Sequence, residues 1–272
     1  MQGLGNDYIY VDCTKRLIDK PEELAVKLSN RNYGIGSDGL ILIRRSTVAD
    51  FFMDMYNADG SRGLMCGNGI RCVARYVYDK GLTGKTELDI ETLSGIRHVS
   101  LIVDNCTVSA VRVDMGIPVF EPDRIPVKLQ ADEIIDYPIV IDGLLYRINC
   151  VSMGNPHCVV FTDKIDLIEL NELGKKFESN VLFPDKINAE FAELIDKRHI
   201  KVRVFERGSG ETLACGTGAC AVLAAAVKNN LTQRGAYIHL PGGMLYTEWG
   251  VDGHIYMEGP AVEVYRGEID IQ

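Results

Sequence analysis

Cys66-Gly67-Asn68-Gly69-Ile70-Arg71-Cys72 in the first half of the chain and Cys215-Gly216-Thr217-Gly218-Ala219-Cys220 in the second share the form C-G-x-G. Each is followed by a run with helical character. After Cys66, apolar residues fall at Ile70, Val73, Ala74 and Val77, the i, i+3, i+4, i+7 stripe of an amphipathic helix, and Gly81 is placed to end it. After Cys215 the run 217–228 is apolar almost all round, which predicts a helix buried on every side. The chain thus carries two thiols, each at the mouth of a helix, one in either half.

Around both motifs the pattern is strand-like. In the first half, strands are expected at 8–12, 40–43, 51–56, 87–92, 97–103 and 107–114. A helix is expected over 21–28, with Asp19 as its cap and Glu22 and Glu23 in its first turn. The turn 57–61 (Asn-Ala-Asp-Gly-Ser) precedes the first thiol. The second half repeats the plan, with strands at 138–142, 144–151, 157–161, 188–195, 200–206, 236–240, 244–249, 254–258 and 261–265 and a helix at 170–178. Near Met115 the pattern breaks, and Pro118, Pro122 and Pro126 are expected to form a linker. The fold class expected is α+β: two pseudo-symmetric domains, each with strands wrapped around a central buried helix and an active site in the cleft between them. Their bounds are expected at 1–116, with 262–272 returning, and 117–261.

A net charge of −9 at pH 7 argues against nucleic acid or an anionic membrane as partner. No apolar run reaches the length of a membrane span, and the polar N-terminus is no secretory signal, so a cytoplasmic location is expected. The 8 cysteines therefore do not read as a disulfide framework. Cys13, Cys106 and Cys150, inside apolar runs, are expected to be small buried hydrophobes. Gly34-Ile35-Gly36-Ser37-Asp38-Gly39 matches G-x-G-x-x-G, but a helix precedes it and a strand follows, the reverse of a dinucleotide site.

Three chemistries use such thiols. Zinc sites favour C-x₂₋₄-C spacing, and on a helix Cys66 and Cys72 are roughly 600° apart, Cys215 and Cys220 roughly 500°, so no metal is expected. Redox cycling usually employs C-x-x-C. Acid–base chemistry at carbon suits a thiol at a helix start, where unsatisfied N–H groups and positive potential favour the thiolate and bind a carboxylate. A thiolate on one face of an α-carbon and a thiol on the other would invert it.

The motifs Gly3-Leu4-Gly5-Asn6-Asp7, Tyr56-Asn57-Ala58-Asp59-Gly60-Ser61, Met65-Cys66-Gly67-Asn68-Gly69, Met153-Gly154-Asn155-Pro156-His157-Cys158, Glu206-Arg207-Gly208-Ser209-Gly210-Glu211-Thr212 and Ala214-Cys215-Gly216-Thr217-Gly218 occur in this order. Together they resemble the diaminopimelate epimerase family of cofactor-independent amino-acid racemases and epimerases, along nearly the whole chain. The resemblance implies interconversion of LL- and meso-2,6-diaminopimelate, in lysine and cell-wall precursor biosynthesis, with no cofactor and in a homodimer. It implies Cys66 and Cys215 as the two bases, with His157 expected beside Cys66 and Glu206 beside Cys215, tuning them. It also implies that Gly67, Asn68, Gly216 and Thr217 hold the α-carboxylate, while Asn6, Asn57, Asn155, Asn188, Glu206 and Arg207 read the distal end of the substrate. Members usually carry a strand ahead of the Asn6 motif, and here it is expected to be missing. The rival readings are a proline or hydroxyproline racemase and a redox-sensing thiol protein.

Overall fold

The computed structural model describes residues 1–270, which form two compact units: Met1–Val113 together with the chain from Gly259 onward, and Asp114–Glu258. The first unit contains β1 (Gln2–Gly3), β2 (Asn6–Asp7), β3 (Ile9–Asp12), α1 (Pro21–Ser29), β4 (Gly39–Arg44), β5 (Phe51–Asn57), β6 (Arg62–Gly63), α2 (Gly67–Asp79), β7 (Glu87–Thr92), β8 (Gly95–Asp104) and β9 (Thr107–Asp114). Its main strands lie in the order β3-β4-β5-β7-β8-β9, with β6 paired to β5, and β1-β2 forms a separate pair. Two neighbouring pairs are parallel, β3 with β4 and β5 with β7. Parallel neighbours need a crossover, and α1 and α2 supply them.

The second unit contains β10 (Tyr137–Ile141), β11 (Leu144–Ser152), β12 (Pro156–Phe161), α3 (Leu170–Glu178), β13 (Asn188–Asp196), β14 (His199–Glu206), β15 (Gly210–Thr212), α4 (Gly216–Lys228), β16 (Gly235–Leu240), β17 (Gly243–Trp249) and β18 (Ile255–Gly259). Its order is β10-β11-β12-β13-β14-β16-β17-β18, with β15 on β14. The parallel pairs are β12 with β13, crossed by α3, and β14 with β16, crossed by α4. From β12 onward the succession of strands, crossovers and short side strand is that of the first unit from β3. The fold is α+β, and its topology repeats.

The two thiol helices are built alike. Each has 13 residues. Cys66 and Cys215 are the N-caps, in extended backbone, and each sulfur accepts the N–H of the residue three positions on. Both helices end in a Schellman motif. Gly81 N–H bonds Tyr78 O and Leu82 N–H bonds Val77 O, while Asn230 and Leu231 do the same to Val227 and Ala226. Gly81 and Asn230 carry the positive φ that this ending requires. Their flanks differ. On α4, Ala219 through Ala226 are fully buried, as the all-apolar run predicts. In α2 a fully buried arginine, Arg71, faces the core. Its guanidinium donates to Gly67 O, Asn68 Oδ1 and Pro260 O.

Several expectations are corrected. Asp19 is not the cap of α1: Lys20 occupies that position in left-handed backbone with no side-chain cap, and Pro21 at the first helical position has no N–H to satisfy. The stretch from Pro118 to Pro126 is bound into the second unit, because Ile125 and Val127 enter its core cluster with Phe177 and Phe191. Residues 261–265 make no strand. Val262 forms an isolated bridge to Gln2, and Arg75 of α2 donates to Ala261 O. Cys106 is exposed: with Asn105 it forms the positive-φ tip of the β8–β9 hairpin, between Asp104 and Thr107, and is not part of an apolar run. Cys13 and Cys150 are buried as expected. Ahead of Asn6, Gln2 and Gly3 pair with Asp7 and Asn6.

The glycines of the G-x-G-x-x-G stretch serve packing. A Cβ on Gly34 would lie 2.4 Å from Lys27 O, and one on Gly39 would lie 2.2 Å from Tyr56 O. Among the described residues no helix is long and apolar enough to cross a membrane.

Candidate active site

In the first unit the site residues gather at the start of α2. The Cys66 thiol donates to Asn6 Oδ1 at 3.3 Å and accepts the Gly69 N–H at 3.2 Å. Asn6 is itself oriented, since its Nδ2 donates to Asp38 Oδ2 at 2.8 Å. Asp38 also accepts the Asp7 N–H, and Arg31 ties Asp7 and Asp38 together. A half-buried amide oxygen thus waits on the thiol proton, held there by a carboxylate one bond further out. Asn68 is the second residue of the same helix, with Oδ1 fixed by Arg71. Asn57 is where its turn puts it, with Nδ2 on Ser61 Oγ and backbone N–H on Ser61 O.

In the second unit the polar groups are denser. Cys215 is only 6% exposed. Its sulfur accepts the Gly218 N–H and lies 3.4 Å from Thr217 Oγ1. Burial raises the thiol pKa well above its ordinary range, and the negative charges of Glu206 and Glu190 raise it further. The Thr217 hydroxyl and the Gly218 N–H act in the opposite direction. Glu206 hydrogen-bonds Cys215 and accepts from Thr212 Oγ1, and burial holds its carboxyl above the usual range. A carboxylate with raised proton affinity beside a thiol is a ready acceptor for that thiol's proton.

His157 is fully buried, and both ring nitrogens are engaged inside its own unit. Nδ1 lies 2.7 Å from Glu190 Oε1, and Nε2 lies 2.9 Å from Asn155 Oδ1. Asn155 Nδ2 donates to Thr217 Oγ1. The contacts of His157 therefore lead toward Cys215. Asn188 is buried and brackets the end of β14: its Nδ2 donates to Pro156 O, and its Oδ1 accepts the Arg207 N–H. An amide has two N–H bonds and two lone pairs, so these contacts leave capacity for a ligand. Arg207 is exposed and donates to Asp185 O.

Cys72 and Cys220, which resemble partners of the two thiols in the sequence, are fully buried packing residues, and burial raises the Cys72 thiol pKa. One functional candidate escaped the sequence reading. Glu190 is fully buried in β13, within a run of buried neighbours, and its Oε1 would lie 2.8 Å from a Cβ placed on Gly218. A carboxylate at an inward position of an apolar strand was the signal that could have found it. An open depression of about 430 Å³ in the second unit, lined among others by Asp123, Val127, Lys128 and Pro184, contains none of these residues.

Solved structures with a similar fold include a phenazine biosynthesis protein and a hydroxyproline epimerase. A PhzF-family phenazine biosynthesis protein of Bacillus anthracis aligns with TM-score 0.71 at 22% identity, over 100% of this chain and 95% of its own. A hydroxyproline epimerase from Agrobacterium vitis, solved with trans-4-hydroxy-L-proline, aligns with TM-score 0.66 at 13% identity, over 95% and 86%. At such identities the likeness is one of fold.

Sequence relatives narrow the class. The diaminopimelate epimerase family model matches residues 1–121 and 149–264. The diaminopimelate epimerase of Acetivibrio thermocellus is 51% identical over 272 residues, covering 100% of this chain and 97% of that one. That of Methanococcus maripaludis strain S2 is 51% identical over 100% and 98%. The chain belongs to the diaminopimelate epimerase family.

Proposed function

We propose that this protein is an isomerase that interconverts LL-2,6-diaminopimelate and meso-diaminopimelate, with Cys66 and Cys215 as its two bases. The observation that carries the reading is the twin capping geometry: in a chain half identical to curated diaminopimelate epimerases, each thiol caps a helix and takes one of its first N–H groups. The first-turn N–H groups of Gly67, Asn68, Gly216 and Thr217 would bind the α-carboxylate, where fixed donors and the helix dipoles stabilise the charge that develops as the α-proton leaves. One sulfur, as thiolate, takes the α-proton and becomes a thiol. The opposite thiol then gives its proton to the other face of the carbanion and becomes a thiolate, so the two exchange roles at each turnover.

His157 and Glu206 set the protonation of the thiols. Asn6, Asn57, Asn155, Asn188, Glu206 and Arg207 read the distal amino-carboxylate end, Arg207 through a paired contact to its carboxylate and Glu206 through its ammonium. No cofactor enters this scheme. The enzyme is proposed to act as a cytoplasmic homodimer in lysine and cell-wall precursor synthesis.

The test is to incubate the purified protein separately with LL-diaminopimelate, L-proline and trans-4-hydroxy-L-proline and resolve the stereoisomers. Conversion of LL-diaminopimelate to the meso form, with the imino acids untouched, is the expected result. Turnover of the imino acids alone would assign the rival racemase activity. Reversible thiol oxidation without turnover of any of the three would assign the redox reading.

A further inference from the structure

Glu190 has no assigned task, yet it is fully buried and sits directly beneath the start of α4. Its Oε2 has no hydrogen-bond partner among the described residues, and its Oε1 lies 2.7 Å from the His157 ring. A buried carboxylate keeps its charge only beside a counter-charge, and the imidazole 2.7 Å away is the group that can supply one.

The far side of the ring gives the direction. Nε2 faces Asn155 Oδ1, an acceptor, so it must donate. Against an ionised Glu190 the ring then donates from both nitrogens. Asn155, with its oxygen on the histidine, presents Nδ2 to Thr217 Oγ1 at 3.3 Å. With one lone pair of Thr217 taken by that N–H, its own proton is left to point at Cys215 Sγ, 3.4 Å away. Cys215 in turn bonds Glu206.

We propose that Glu190 is a positioning residue: paired with His157, it fixes the sense of the chain His157–Asn155–Thr217, which aims the Thr217 hydroxyl proton at the sulfur of Cys215. The proposal rests on the epimerase reading and extends it. When Cys215 passes its proton to Glu206 or to the substrate carbon, the sulfur acquires charge. The Thr217 O–H and the Gly218 N–H then both point at it, and neither has to reorient first. If the ring were neutral at Nε2, Asn155 would turn its N–H toward the histidine. Thr217 would then donate to Asn155, and the sulfur would lose that donor.

Two measurements on the full-length protein test this. The first needs no variant: ¹⁵N chemical shifts of the His157 ring at neutral pH should show both nitrogens protonated in the wild type. A neutral ring overturns the proposal. The second is a cycle of Glu190→Gln, Thr217→Val and the double variant, assayed with LL-diaminopimelate. Glu190→Gln should lower kcat about 10- to 100-fold with little change in KM, the usual cost of losing an orienting partner one shell out. On the Thr217→Val background the same substitution should cost almost nothing, because the hydroxyl it aims is gone. An undiminished cost there, or wild-type rate in the single variant, overturns the proposal. Absence of turnover in the wild type would count against the epimerase reading alone, since the ring measurement does not depend on it.

Discussion

The start of α2 and the start of α4 are the same local object in different electrostatic surroundings. Each has a cysteine N-cap in extended backbone, a glycine N–H on the sulfur, and a Schellman ending 13 residues later. Cys66 donates to an amide, Asn6 Oδ1, and accepts the Gly69 N–H, with Asp38 one bond beyond Asn6 and Arg31 beyond Asp38. Around Cys215 the carboxylates come in directly, Glu206 on the sulfur and Glu190 under the helix start. Capping geometry alone favours a thiolate at either site. Burial and the two carboxylates reverse that preference at Cys215, where they outweigh the Thr217 and Gly218 donors. Two thiols that look interchangeable in sequence thus stand in different surroundings, and those of Cys215 hold its proton more firmly than a helix cap alone would.

The sharpest way to break this comparison is to add one methyl group to each motif. Gly69→Ala would place its Cβ 2.8 Å from Ile41 Cδ1, the tip of a flexible side chain, whereas Gly218→Ala would place it 2.8 Å from the fixed carboxylate oxygen Glu190 Oε1. Gly218→Ala should cost about 1–3 kcal/mol in urea unfolding, the usual range for overpacking, and most of the activity, with Gly69→Ala clearly milder on both counts. Equal effects would mean that Glu190 is free to move and that the two helix starts are alike in packing.

A second test uses pH. The folded Cys215 thiol titrates above the unfolded one, so the unfolded chain loses this proton first as pH rises. The contribution of Cys215 to stability is therefore complete below about pH 8.5 and is lost as pH climbs through the folded value. Between pH 8 and 11 the wild type should lose stability faster than Cys215→Ala, by up to about 1.4 kcal/mol per pH unit. Parallel curves would remove the electrostatic half of the comparison.

Most of the chain was legible because its signals are local. The stripe Ile70, Val73, Ala74, Val77 and the unbroken apolar run after Cys215 report burial directly, and both helices form within a residue of expectation. What was hidden depends on partners far off in sequence. Glu190 became meaningful only once β13 lay parallel to β12 and brought it to His157. Residues 261–265 read as a strand by alternation, but arginines of α2 take the carbonyls of Pro260 and Ala261. At the β8–β9 tip, the polar turn Asp104-Asn105-Cys106-Thr107 between two apolar strands turned Cys106 outward. That tip offers the smallest of these tests. Cys106→Gly relieves the strain of a positive φ at a non-glycine residue, offset in part by unfolded-state entropy, and should raise stability by up to about 1 kcal/mol without touching activity.

In the proposed mechanism two thiols serve one carbon from opposite faces. Its most direct measurement is deuterium exchange at the α-carbon of LL-diaminopimelate in D₂O, with the wild type, Cys66→Ala and Cys215→Ala. The wild type should place deuterium in the epimerised product, and each variant should lose epimerisation by about 10²- to 10⁴-fold, as expected for removal of a general acid or base. Either variant epimerising and exchanging at the wild-type rate would contradict the two-base account.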